Sequence, residues 1–221
     1  MAMTERNWSR LGGGGGLFFV VVAVVVVLSV PLTVSTPEPA FDGPAQAWLA
    51  YAEATRGSLI PRTVLGVLAF AGFILYTAVL AVRLRLPDGR LSVPGILVLI
   101  SSGVAVALYF VTAGIQLAGA FRESDLDATT TALLFGLTNG VFVLIWFALA
   151  GVLVAAGIGG LQQEALPRWL AWLGIVAGIA WVGTALVPTS NLWLLPYLLF
   201  FVWLIVGSVL LLRGRIETST P

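Results

Sequence analysis

Six stretches of the chain carry no charged side chain: residues 17–34, 63–82, 93–121, 132–158, 169–187 and 192–212. The shortest has 18 residues and the longest 29. A helix needs roughly 17–25 residues to cross a ~30 Å hydrocarbon core, and tilt accommodates the excess. Inside that core no water satisfies the amide groups, so each stretch is expected to be a helix that closes its own hydrogen bonds. Charged residues are only 10% of the 221, and all fall between or beyond the stretches, whereas a soluble domain carries about 25%. The expected fold is therefore all-α, a six-transmembrane-helix bundle forming a single integral membrane domain over residues 1–221. The longest connection, residues 35–62, is too short to fold by itself.

Arginine marks the cytoplasmic side of short loops. With the amino terminus inside, Arg6, Arg10, Arg83, Arg85, Arg90, Arg168, Arg213 and Arg215 are cytoplasmic, and only Arg56, Arg62 and Arg122 lie outside. Both termini of a multi-pass plasma-membrane protein are thus expected in the cytoplasm. Arg6 and Arg10 before an apolar run also fit a signal peptide. The run from Leu17 to Val34 exceeds the ~7–15 residues of a signal core, however, and Ser35 to Ala40 offers no small-x-small cleavage site. Span 1 is expected to be retained, with Gly12–Gly16 as a flexible lead into it.

Between spans 1 and 2, Pro44 can open a short amphipathic helix that runs to about Arg56, with Asp42 or Gly43 as its cap. Trp48, Leu49, Ala52 and Thr55 recur at helical spacing on one face. The pattern suits an amphipathic connector lying in the outer interface; the lesser alternative is a lid over an outward-facing cavity. The acidic outside loop, Arg122 to Thr131, reads as a set of caps for span 4 rather than a cation site.

Several chemistries are excluded by what the chain lacks. It has no His, no Cys and no Lys, which removes bis-His haem, Cys/His zinc sites, thiol relays, Ser/His nucleophiles and Schiff-base lysines. No ionisable group lies within a span, which disfavours proton pumps and voltage sensors. No catalytic residue, cofactor or metal site is expected. A formal charge of +1 gives no footprint for nucleic acid, which requires a dense basic surface.

Uncharged polar residues remain. On span 3, Ser102, Tyr109, Thr112 and Gln116 are spaced 7, 3 and 4 apart and form one stripe, which is expected to face protein. Gln116 needs partners at that depth, and Asn139 on span 4 or Tyr76 and Thr77 on span 2 are the natural ones. These seven residues form either inter-helix hydrogen-bond glue or the lining of a small polar cavity. Gly136-x-x-x-Gly140 on span 4 and Gly174-x-x-x-Gly178 on span 5 are candidate packing faces, within the bundle or across a homo-oligomer seam.

Four segments carry a family resemblance: Arg10-Leu-Gly-Gly13, Pro44-Ala-Gln-Ala-Trp-Leu-Ala-Tyr51, Leu166-Pro-Arg-Trp-Leu-Ala-Trp-Leu-Gly174, and Leu198 to Arg213 with Trp203 and Gly207. In the order of these elements the chain resembles a broad group of uncharacterised bacterial, actinobacterial-type polytopic membrane proteins of similar length. The resemblance implies the fold and no activity. The functional expectation is a non-enzymatic membrane component, embedded in the lipid bilayer, that binds a partner protein or lipid. The alternative is a carrier or channel for a small neutral or amphiphilic solute, which would need a connected cavity along spans 2, 3 and 4.

Overall fold

A computed structural model describes residues 4–214 except 34–35, 123–125, 189–191 and 193, with backbone alone for residues 30–33. It is all-helical, 84% helix with no strand among the described residues, and all six helices are long and apolar enough to cross a membrane. They are α1 (Glu5–Thr33), α2 (Ala45–Arg83), α3 (Val93–Phe121), α4 (Ala128–Gln162), α5 (Arg168–Ala185) and α6 (Leu194–Leu212). Each helix packs on its neighbours in sequence, α6 closes on α1, and α2 also meets α4. The α2–α4 pair forms the spine of the bundle: 56% of the apolar window of each is buried, against 33–39% in the other four.

The amphipathic segment after Pro44 is helical, but it is no separate element. It continues into span 2, so α2 has 39 residues with Pro61 inside and a length of about 58 Å. Proline removes one amide donor and crowds the preceding turn. Side chains around it contact helix carbonyls: Thr55 Oγ1 donates to Tyr51 O at 2.8 Å, Ser58 Oγ to Thr55 O at 2.9 Å, Arg62 Nε to Ser58 O at 3.2 Å and Thr63 Oγ1 to Leu59 O at 2.8 Å. None of these four bonds ends on Gly57 O, the carbonyl that Pro61 leaves without its amide donor. The face bearing Trp48 and Thr55 does not lie on the outer interface. Trp48 is 2% exposed and stacks on Phe135 of α4 at 4.8 Å, because burying an indole against a ring outweighs leaving it in the headgroups.

Gly12–Gly16 is likewise not a flexible lead. It is helical within α1 and forms a close contact between helices. A Cβ on Gly15 would stand 2.6 Å from Gly72 O, and one on Gly72 would stand 2.5 Å from Gly15 O, so α1 and α2 touch backbone to backbone there. A Cβ on Gly13 would meet Ser208 O of α6 at 2.6 Å, and Gly12 abuts Val79. Only Gly14 of the run faces open space. Four of the five glycines therefore wedge α1 between α2 and α6, the close approach that small residues permit in membranes.

The two expected glycine faces differ. Gly174 and Gly178 do pack: a Cβ on Gly174 would lie 3.0 Å from Leu153 O and 2.9 Å from Trp203 Nε1, and one on Gly178 would lie 2.9 Å from Ala150 O. Gly136 and Gly140 face outward, with nothing within 4 Å, because α4 uses another face for α3 and α5. At the opposite end, Ser92 caps α3 by accepting from Gly95 N at 3.1 Å while it donates to Leu84 O at the end of α2. Asp127 caps α4 by accepting from Thr130 N at 2.7 Å. Arg83 donates to Ser9 Oγ and so ties the start of α1 to the end of α2.

Gly15→Leu or Gly16→Leu is expected to lower thermal stability in detergent by several degrees or to abolish folding, since overpacking a tight contact costs about 1–3 kcal/mol or more. Gly14→Ala, one position away, should leave the melting temperature equal or higher, because alanine is the better helix former.

Candidate functional site

A cavity of about 360 Å³ lies between α1, α2, α3, α4 and α6 and reaches Glu38 of the α1–α2 connection, which we take as its mouth. Its position follows from the helices. At its inner end Phe19, Phe70, Phe73 and Phe200 pack ring to ring with centroids 5.2–6.1 Å apart. Phe73 and Phe200 are at most 1% exposed, so this plug closes the cavity away from its mouth. Beyond the plug lies the glycine wedge, where the helices are too close for a void.

The lining is graded. The mouth holds Glu38, Tyr51, Thr55 and Arg62; a neutral polar band follows with Thr63, Gln116, Thr138 and Asn139. Beneath it lie Phe142, Ile145, Leu149 and Phe201, with Tyr109 and Tyr197 presenting rings. Tyr109 stacks on Phe70 at 4.2 Å, and Tyr197 stands edge-on to Trp181 at 4.4 Å. The outer turns of α2 wall the mouth and are fastened to α4 through Tyr51 and Phe135, 5.8 Å apart. A side pocket of about 40 Å³ between α2, α3 and α4 shares Leu59, Gln116, Phe135 and Thr138 with the main cavity.

The seven sequence-nominated polar residues separate into two groups. Tyr109, Gln116 and Asn139 line the cavity. Thr77, Ser102 and Thr112 satisfy themselves on their own helices, donating to Phe73 O (3.0 Å), Leu99 O (3.0 Å) and Leu108 O (3.1 Å). Tyr76 is fully buried elsewhere, edge-on to Trp203 at 5.8 Å with its hydroxyl against Gly207. Gln116 therefore pairs neither with Asn139 nor with Tyr76 or Thr77. Its amide oxygen accepts from Thr63 Oγ1 across α2 and α3 at 3.0 Å, because Tyr76 and Thr77 sit nearly four turns deeper on α2. The one Thr63 hydroxyl proton is shared between two acceptors, Leu59 O and Gln116 Oε1. Asn139 has no hydrogen-bond partner among the described residues.

Sequence reasoning missed Glu38, Tyr51, Arg62, Thr63 and Thr138. A signal existed: Tyr51, Thr55, Arg62 and Gly66 are spaced 4, 7 and 4, one helical face. It becomes legible only when α2 is read as one helix through Pro61. At the mouth, partial desolvation pushes the Glu38 carboxyl above its ordinary value, and the neighbouring Arg62 guanidinium opposes that shift.

No family model matches the chain, and neither the curated proteins nor the solved structures yield a match.

Two outcomes test this geometry. In a double-mutant cycle, Thr63→Val and Gln116→Leu should couple by about 0.6 kcal/mol, the average for membrane hydrogen bonds, whereas Gln116→Leu and Asn139→Leu should be additive. The raised Glu38 pKa means the folded state holds this proton more tightly than the unfolded state. Stability should therefore fall as pH rises above the ordinary value of 4.5, and Glu38→Gln should flatten that slope in a melting-temperature profile.

Proposed function

We propose that the chain is a non-enzymatic multi-pass protein of the plasma membrane, with both termini cytoplasmic, that holds an amphiphilic molecule in an outward-facing cavity. The observation that carries this reading is the graded 360 Å³ cavity: charged and phenolic groups at the mouth, amides and hydroxyls beneath, aromatic and aliphatic walls at the bottom. Sites for small molecules fall in the same volume range, ~300–1,000 Å³, and combine apolar walls with a few convergent polar groups. An amphiphile seated head outward meets each level with matching chemistry.

The arginine asymmetry supports the orientation, since it puts the α1–α2 loop, and hence the mouth, outside. The aromatic plug favours a binder, or a carrier in its outward-open form, over a channel, which needs a path through. Catalysis is disfavoured because no His, Cys or Lys is available and the band below the mouth has no carboxylate. The outward-facing Gly136 and Gly140 of α4 offer a face where a partner helix or a second copy can approach closely.

Decanol is a suitable probe for the protein in nanodiscs. Wild type is expected to bind radiolabelled decanol saturably, near one per chain. Ala23→Trp combined with Thr138→Trp, which fills the cavity, should weaken binding about tenfold or more. Unsaturable partitioning, identical in the two proteins, would remove the reading.

A further inference from the structure

We infer that the cavity selects an amphiphile whose polar end is uncharged and hydrogen-bonding, a hydroxyl, ester or amide on a hydrocarbon tail, and that Gln116 and Asn139 read this group. The inference rests on the amphiphile reading above and adds the ligand's class.

The polar band between mouth and floor is neutral throughout. Thr63 comes from α2, Gln116 from α3, and Thr138 and Asn139 from α4. Of these, only Thr63 and Gln116 are bonded to one another. The Asn139 amide, with two donors and an acceptor oxygen, has no partner among the described residues and faces the cavity. Polar groups in such surroundings are costly unless something bonds to them. An amide donates and accepts together, so it can serve a hydroxyl, an ester or another amide equally well.

An ionised head group fits neither level. In the band it meets no opposite charge, and an unpaired ion there is far more expensive than a neutral dipole. At the mouth the two charged residues lining the cavity, Glu38 and Arg62, are near neighbours of opposite sign. A cation drawn to the carboxylate is repelled by the guanidinium, and an anion suffers the reverse. Below the band, the wall from Asn139 to Leu149 on α4 rises about 15 Å. Its lining residues Phe142, Ile145 and Leu149 carry no polar side chain, so the tail has an apolar bed and the head stops where the amides begin.

The experiment compares decanol, decane, decanoate and decyltrimethylammonium at equal mole fraction in nanodiscs of zwitterionic lipid, at a pH where decanoate is ionised. Apparent affinity is read from the concentration dependence of thermal stabilisation. Decanol is expected to bind about tenfold or more tightly than the other three, the size of one net hydrogen bond. Asn139→Leu and Gln116→Leu should each bring decanol toward the affinity of decane. The wild-type ranking tests the inference even where a variant folds poorly. An ion that matches decanol overturns the selectivity for neutral heads and leaves the amphiphile reading standing. Decane matching decanol in the wild type removes the role of the two amides. Failure of all four to bind overturns both readings.

Discussion

Hydrocarbon gives helices no hydrophobic reason to associate, since lipid tails are as apolar as leucine side chains; how closely two backbones can approach therefore decides where the bundle is solid. The structure depends on one such approach, between Gly15 and Gly72, where α1 and α2 touch through their backbones. Gly13 and Gly16 extend the contact to α6 at Ser208. With three helices drawn together at one end, the ring of six is dense there. Tyr76, Trp203 and Leu80 are fully or almost fully buried in the space beside it.

The other end of the bundle lacks a glycine wedge, and the same helices spread around a space. Large rings set its floor, since Phe19, Phe70, Phe73 and Phe200 fill the level where the helices begin to part. Its far wall is the extended α2, which passes through Pro61. Trp48 and Tyr51 then fasten the outer turns of α2 to Phe135. Packing at one end and opening at the other thus have a common cause in the size of the side chains at each level.

Polar groups follow the same logic of satisfaction. Several threonines and serines on packed faces return their protons to their own helices, as Thr77, Ser102, Thr112 and Thr184 do. They stabilise no particular neighbour and mark no site. Gln116 is too long to bond its own backbone in this way, so it reaches Thr63 on the next helix. Asn139 reaches nothing in the protein and faces the cavity. An uncommitted polar group that lines the cavity, rather than a polar group as such, points to a ligand.

Charge-free length and helical period were enough to read the six helices, and the period also assigned Tyr109 and Gln116 to one face of α3, because these properties are local and follow from the solvent and from 3.6 residues per turn. The period fixes the angle of a residue around its helix but neither its depth nor the neighbour it meets. Tyr76 and Gln116 are both polar and inward-facing, yet they lie at opposite levels of the bundle. A glycine run is equally compatible with a loose lead and with a tight seam until another backbone is brought against it. The proline at position 61 breaks a helix on local grounds, whereas the packing of Trp48 and Tyr51 on Phe135 of α4 holds the outer turns of α2 in line. Tertiary packing alone therefore decided that α2 is continuous, that four glycines of α1 form the seam while Gly136 and Gly140 do not, and that Asn139 faces open space: each depends on the distance between segments far apart in the chain, which no local pattern encodes.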